Sequence, residues 1–349
     1  LVNKLKQYYE NCPIHSIDFS IKQYKNEFNE NIDVKYDIIK ILGSGSIGQV
    51  YLVYNKIRKR NEVIKIIHPN ASDDIIMFQR IIKFLFRIPF IYNRYRKICP
   101  FDIYSFIEQF KDQIDLVKEA NNNLYFNELY KNNKFLRFPD IYQISKSVLI
   151  MSYEDGFDFN DDKIDSYNRE KLASIFNMFF KSNIMIYNYN HGDLHRGNWK
   201  VQQYDNEYRI VIYDMGFCWK MNDSIFTELG TDLIDTFEDC DTKFDEEPTK
   251  KRLCKLLKIS IVTNEDYTEK IKDFIDKSYN NISPWKLCPV KLFKNVILFC
   301  SIEDLMINPI LAQGFILIIQ VQKIFEDNGL MTDGTRIISS KEIYRDRYI

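Results

Sequence analysis

The sequence predicts an α+β fold in two lobes, a small β-rich N-lobe followed by a larger helical C-lobe. Two observations carry this expectation. Tyr36–Leu42, Val50–Tyr54 and Val63–Ile67 read as three strands separated by a glycine cluster and a basic turn, Lys56–Arg60. Beyond Gly156 the pattern is mostly helical, apart from a strand at Arg209–Tyr213. The 349 residues, 45% hydrophobic and 28% charged, suffice for one two-lobed unit and exclude a wholly disordered chain.

The elements follow in order. Residues 1–33 form an N-terminal helical extension, with Leu5, Tyr8 and Tyr9 at helical spacing and Pro13 as a break. The N-lobe runs over 34–153 and carries a helical insertion at 71–118, inside a helical pattern from Asp73 to Tyr130 that Pro89 and Pro100 punctuate. Phe138–Ile144 and Ser147–Tyr153 read as a strand pair. Gly156 and the acidic loop Asp158–Asp165 mark the lobe boundary, and 154–349 form the C-lobe. There Arg169–Tyr189 reads as a long helix, followed by a loop rich in histidine and glycine. The most apolar stretch, Pro309–Phe325, contains Gln313, Gln320 and Gln322 and is shorter than a usual membrane span. A buried C-terminal helix is expected there.

Composition excludes some classes of function. Forty-eight basic and forty-nine acidic residues leave a net charge of −1, so nucleic acid is not an expected partner. The acidic run Glu238–Glu247 reads as a solvated loop. Seven cysteines form no CxxC pair and no zinc spacing with the four histidines, a scatter that suits reduced thiols in an intracellular protein. No signal-peptide pattern stands at the start, and the chain opens with Leu1 instead of Met. Fifty Ile against four Ala point to an AT-rich genome, such as that of a parasite or a large DNA virus, and say nothing of function.

Four motifs carry chemistry. Gly43-Ser44-Gly45-Ser46-Ile47-Gly48-Gln49-Val50 matches the glycine-rich pattern GxGxxGxV, in which backbone N–H groups lie open to phosphates. A plain hairpin turn uses glycine too, so this pattern alone is weak. Lys65, in Val63-Ile-Lys65-Ile on the third strand, occupies the place of the kinase strand lysine. Such a lysine needs a carboxylate to hold it against α- and β-phosphates. By spacing alone, Glu119 is either that partner or one more solvent-facing glutamate.

The strongest signal is His191-Gly-Asp193-Leu-His195-Arg-Gly-Asn198. An Asp with an Asn five residues later is the kinase catalytic-loop spacing, where Asp193 would serve the acceptor hydroxyl and Asn198 would hold magnesium. Asp214-Met-Gly216 ends a strand like a DFG motif with Met for Phe, its Asp a magnesium ligand. The order and context of the four define a two-lobed protein-kinase-like fold. An adenine would then meet the backbone near Ser152–Glu154, with Met151 lining the back of the pocket. His191 reads as a structural residue of its loop. His195 either faces substrate or packs, and Arg196 reads as a surface residue.

Taken together, these residues resemble the UbiB/ADCK family of atypical kinase-like proteins. The resemblance rests on Ser46-Ile-Gly-Gln-Val50, Ile66-Ile-His68-Pro69-Asn70, Glu119-Ala-Asn121, Phe138-Pro139 and His191-Gly-Asp-Leu-His195, and spans nearly the whole chain. It implies Glu119 as the lysine partner and Ile75–Ile114 as the family's inserted helices. It further implies binding of ATP or ADP with Mg²⁺, a link to ubiquinone or other isoprenoid-lipid metabolism and its proteins, and peripheral membrane contact. Three departures stand out. Gly43 and Gly45 replace the family's alanine-rich loop, Gln113-Ile-Asp115 replaces its ExD, and its KxGQ motif would fall just before Leu1. The expected function is an ATP-dependent phosphotransferase or ATPase. The alternatives are a small-molecule kinase of the aminoglycoside or choline type, and a nucleotide-gated scaffold with little turnover.

Overall fold

The computed structural model describes residues 14–223, 225–227, 246–278 and 289–327. Leu5–Pro13, Cys240, Cys288 and most of the acidic run Glu238–Glu247 lie outside them. The described residues group into two compact units. Those of the first fall within Leu1–Ile81, Ile107–Asp158 and Arg196–Phe217; those of the second fall within Ile82–Phe106, Phe159–His195 and Cys218–Ile349.

The chain enters through helix α1 (Ile17–Phe28), whose Ser16 cap accepts from the Phe19 N–H and whose exit turns through Asn29 at φ 51°. A short α2 (Ile32–Lys35) leads into strands β1 (Tyr36–Ser44), β2 (Gly48–Asn55) and β3 (Arg60–Ile67). Helices α3 (Ala71–Leu85), α4 (Pro89–Ile98) and α5 (Ile103–Gln113) follow, then α6 (Leu116–Leu129), with Pro89 in the first turn of α4. Strands β4 (Leu136–Arg137), β5 (Ile141–Ile144) and β6 (Val148–Ser152) come next. The three strands expected between Tyr36 and Ile67 do form one antiparallel sheet, in the order β1-β2-β3-β6-β5.

Period-2 alternation decides what each sheet face receives. On β3, Ile64 and Ile66 join Tyr24, Tyr36, Tyr51 and Ile150 in a core that α1 and α2 cover. Ile67, on the opposite face, packs with Leu149 of β6 and with Leu116 and Ala120 of α6. Lys65 lies on this second face, between two positions committed to the first.

Gly48 fixes the spacing of β2 and β3. A Cβ there would meet the Ile66 carbonyl oxygen at 2.8 Å, whereas one on Gly43 would meet nothing within 4 Å. Gly48→Ala is therefore expected to cost about 2 kcal/mol through forced backbone separation. Gly43→Ala is expected to stay near neutral, and thermal unfolding of the two variants checks the contrast.

Beyond β6 the first unit takes in β8 (Trp199–Tyr204) and β9 (Glu207–Ile212), while β7 (Asn190–His191) belongs to the second. Strand β9 runs parallel to β4 through Leu136↔Ile210, and Phe157 bridges Val201. These bonds draw 196–217 into the first unit, which is discontinuous in sequence where the sequence reading places one boundary after residue 153. Strand β8 is an addition to the expected elements.

In the second unit α7 (Ser166–Ser182), capped by Asp165, continues into a π-helical turn at Asn183–Tyr187. Strand β10 (Cys218–Trp219) pairs with β7. Helices α8 (Glu246–Ser260), α9 (Thr268–Ser278), α10 (Pro289–Glu303) and α11 (Pro309–Asp327) follow, with β11 (Ile261–Val262) and β12 (Met306–Ile307) between them. Leu253, Leu257, Ile271, Phe299 and Phe315 form their core. The expected C-terminal helix is α11, which buries Leu311, Ala312, Leu317 and Val321. Among the described residues, no helix is long and apolar enough to cross a membrane.

Candidate functional site

Lys65, Glu119 and Asp214 converge within the first unit. The Lys65 Nζ lies 2.8 Å from both Glu119 oxygens and 2.9 Å from Asp214 Oδ1. Glu119 is buried because α6 turns one stripe inward, comprising Leu116, Glu119, Ala120, Asn123 and Phe126. The helix is set by Asp115, whose carboxylate caps it by accepting from the Val117 N–H at 3.0 Å. The remaining acid of Gln113-Ile-Asp115 thus positions the helix that carries the lysine's partner.

Charge in this cluster is unbalanced, with one ammonium serving two carboxylates. Burial works against a charged Lys65, but Asp214 and Glu119 outweigh it and hold the ammonium protonated well above its ordinary range. Burial pushes the Glu119 carboxyl up, Lys65 pulls it back, and the neighbouring Asp214 adds to the rise. Asp214 differs from Glu119 in exposure: its side chain is 46% exposed, against 3%.

Asp214 also sits in the left-handed region, at φ 53°, which glycine, asparagine and aspartate enter more readily than other residues. The turn is held from two sides. Met215 is buried, and its carbonyl accepts from Asn122 Nδ2 at 2.8 Å. At Gly216 a Cβ would meet Asp214 Oδ1 at 3.1 Å and Glu119 Oε2 at 3.4 Å, so a side chain there would press on both carboxylates. No sequence feature singles out Asn122 beyond its place one turn after Glu119 on the same helix.

The β8–β9 hairpin brings Asn198 to the same end as Asp214. Trp199 pairs with Ile212, and the Tyr213 N–H donates to the Asn198 carbonyl at 2.8 Å, so Asn198 precedes one strand where Asp214 follows the other. Asn198 is buried, at the end of a 3₁₀ turn over Arg196–Asn198.

The glycine loop closes β1 and β2. Gly43 pairs with Val50, Ser44 with Gln49, and the Gly45 N–H donates to the Gly48 carbonyl at 3.0 Å. Gly43, Gly45 and Ser46 are exposed, Ile47 is half-buried, and Ser44 and Gly48 are buried. Met151 pairs with Val63 and packs beside Leu149. Ser152 and Glu154 have engaged side chains: Glu154 Oε1 accepts from Arg137 at 2.6 Å and from Ser152 Oγ at 2.8 Å, while the Tyr213 hydroxyl donates to the Glu154 carbonyl.

Asp193 belongs to the second unit. Its N–H donates to His191 Nδ1 at 3.1 Å, its Oδ1 accepts from Gln320 Nε2 of α11 at 3.3 Å, and His195 Nε2 stands 3.6 Å from Oδ2. His191 is buried and paired in β7, the structural role expected of it, whereas His195 and Arg196 are exposed. Gln320 was noticed in the sequence only as a polar break in an apolar run.

The sheet, the inserted helices and the strand hairpin define a kinase-like protein of mixed α+β class. The ABC1 atypical kinase-like domain matches residues 7–243, and the chain belongs to that family. It is 29% identical over 215 residues to the probable serine/threonine-protein kinase abkC of Dictyostelium discoideum, covering 59% of this chain and 31% of that protein. To the probable protein kinase UbiB of Cronobacter sakazakii it is 25% identical over 189 residues, covering 52% and 35%. The chain therefore spans about a third of the length of these relatives. Among solved structures, that of Rv3197 from Mycobacterium tuberculosis, in complex with erythromycin, shares the fold with a TM-score of 0.52 at 16% identity over 90% of this chain and 85% of that one.

Proposed function

We propose that this chain binds ATP or ADP with Mg²⁺ and transfers or hydrolyses the γ-phosphate, as an atypical kinase of the UbiB type. The observation that carries the reading is the Lys65 ammonium held at 2.8–2.9 Å by Glu119 and Asp214. A buried cation oriented by a buried carboxylate is what phosphate binding demands of a kinase strand lysine. The residues present also fit the group: exposed Gly43 and Gly45 put no Cβ between the loop backbone and a phosphate, and half-exposed Asp214 with Asn198 at the same end of the hairpin offers hard oxygen ligands to Mg²⁺.

On this reading the loop Gly43–Val50, with Ser44, Ser46, Ile47 and Gly48 between them, cradles the phosphates, and Lys65 orients them while Glu119 holds Lys65. Asn198 and Asp214 hold the metal, whose bound form would neutralise charge on the phosphates. Asp193 accepts the proton of the acceptor hydroxyl or water. Met151 lines the adenine site. The Ser152 and Glu154 side chains are committed to Arg137 and to each other, the Ser152 N–H bonds the Asp140 carbonyl and the Glu154 carbonyl accepts from Tyr213, so adenine would be met by the remaining backbone groups of this segment.

The resemblance to the UbiB type supports a link to ubiquinone or other isoprenoid-lipid metabolism. Peripheral membrane contact is supported by α3, which exposes Met77 (56%), Ile81 (47%) and Phe84 (65%) along one face beside Arg80 and Lys83. An intracellular setting is supported by Cys99, Cys218, Cys254 and Cys300, none of which forms a disulfide among the described residues.

The test is calorimetric titration of the purified chain with ATP and ADP, with and without Mg²⁺, followed by phosphate release with vesicles and phenols as acceptors. Asp214→Asn is expected to weaken Mg²⁺-dependent nucleotide binding at least about tenfold while the fold persists, because it removes a charged metal ligand from a half-exposed position. Equal stabilisation of wild type and variant by Mg-ATP would remove Asp214 from the site.

A further inference from the structure

The glycine loop is held from behind by a hydrogen-bond chain that starts far from it in sequence, at the residues preceding α1. Its directions can be assigned from both ends. Gln49 Oε1 accepts from the His15 backbone N–H at 3.0 Å, so Gln49 Nε2 is the atom that donates to the Tyr51 oxygen. The Tyr51 hydroxyl then donates to Ser20 Oγ at 2.6 Å, and the Ser20 hydroxyl to His15 Nε2 at 2.7 Å. This leaves the His15 proton on Nδ1, donated to His68 Nδ1 at 2.7 Å, and the His68 proton on Nε2, donated to the Gly45 carbonyl at 2.9 Å. Tracing back from Gly45 gives the same directions, since a carbonyl only accepts.

Ser20, Gln49 and Tyr51 are buried, so a reversed or missing bond would leave a buried polar atom unsatisfied. His68 holds the loop at three points: its Nε2 meets the Gly45 carbonyl and, at 3.3 Å, Ser44 Oγ, and its N–H donates to the Ile47 carbonyl at 2.9 Å. These contacts fall on the last residue of β1 and on the segment that joins it to β2.

We propose that His15 and His68 are positioning residues for nucleotide binding, a latch that fixes the glycine loop only while both imidazoles are neutral. This rests on the reading of that loop as the phosphate cradle. A second proton on His68 would set two N–H groups face to face across 2.7 Å. One on His15 would meet the Ser20 proton and require the whole chain back to Gln49 to reverse.

The surroundings of His15 favour its neutral form. Burial first, and then His68, hold His15 well below the usual imidazole range, at about 4. The groove that His15 lines also carries Lys40 and Tyr51, and Phe19 packs edge-on at 5.0 Å. The sign follows: a depressed imidazole stabilises the latch above the ordinary value of 6.5, and this is lost as pH falls toward 4.

The test uses the full chain labelled with ¹⁵N-histidine. Long-range ¹H–¹⁵N spectra at pH 7.5 should show one histidine as the Nδ1–H tautomer, removed by His15→Asn, and His68 as the Nε2–H tautomer. Ser20→Ala, which touches neither His68 nor the loop, should leave His15 in the Nδ1–H form, because His68 Nδ1 still requires that proton. Amide exchange at the loop should accelerate in His68→Leu and return to the wild-type rate in His68→Gln, whose amide can donate in place of Nε2.

Mg-ATP affinity should fall about three- to tenfold in His68→Leu, the scale of one hydrogen bond. The ratio of wild-type to His15→Asn affinity should decline from pH 7.5 to 5, a comparison in which titration of the nucleotide cancels. Nε2–H on His15, or loop exchange unchanged in His68→Leu, would overturn the latch. If the tautomers and loop exchange behave as stated but Mg-ATP does not bind, the latch stands and the nucleotide reading falls.

Discussion

Asp193→Ala is expected to bind Mg-ATP within about threefold of wild type and to turn over about 10²–10⁴-fold more slowly, the scale of a general base. The fold should tolerate the change. The carboxylate is half-exposed, its contacts with Gln320 and His195 are long, and the N–H bond to His191 survives in the variant. On the proposed reading the carboxylate meets the acceptor, so its interaction strengthens in the transition state, and turnover falls without a matching loss of affinity. Stopped-flow nucleotide binding and steady-state phosphate release measure the two quantities on one preparation. A nucleotide-gated scaffold predicts the opposite emphasis: Asp193→Ala would retain cellular function that Asp214→Asn loses. Equal turnover and equal complementation by Asp193→Ala and wild type would remove the catalytic assignment.

The N-terminal sheet was legible because its strands announce themselves locally. Each apolar run is bounded by glycine or by the basic turn at 56–60, and β-branched residues dominate β3. Strand β8 was less visible. Only Trp199 and Val201 supply its buried face, and Lys200, Gln202 and Gln203 dilute a six-residue run. What makes it a strand is pairing with β9, and through β9 with β4, a contact between residues more than sixty positions apart. Period and propensity carry no information at that range. The same pairing makes the first unit discontinuous, which no local feature near residue 153 could signal.

At the candidate site, residue types at fixed spacing were readable, whereas what orients them was not. Lys65 could be singled out as a polar residue in an apolar strand. Whether Glu119 met it depended on the azimuth of α6, which the Asp115 cap and the buried stripe through Leu116 and Ala120 determine only once the helix packs. Asn122, Gln320 and the His15–His68 pair share a reason for escaping notice. Each depends on a hydrogen bond to a partner 53 to 127 positions away, and an isolated polar residue has no sequence signature of such a bond.

Lys65→Met should destabilise the chain by about 3–5 kcal/mol, more than Glu119→Gln, in urea unfolding at neutral pH. The asymmetry follows from the charge count. Removing Glu119 leaves Lys65 with Asp214 at 2.9 Å, so the buried ammonium keeps a counter-ion. Removing Lys65 leaves two carboxylates facing each other with no cation, one of them 3% exposed. Glu119 would then take up a proton instead of staying charged, since burial and Asp214 already push it up. A Lys65→Met/Glu119→Leu pair removes the buried charge with its partner and should recover much of the loss, as replacing a whole buried ion pair by apolar groups often does. Nucleotide binding should not return in the double variant, because the phosphate-orienting ammonium is still missing. Recovery of stability without recovery of binding would show that the fold tolerates an apolar pair where the proposed chemistry requires a charged one. If Lys65→Met were no less stable than Glu119→Gln, the two carboxylates would not be competing for one cation, and the geometry assigned to this cluster would be wrong.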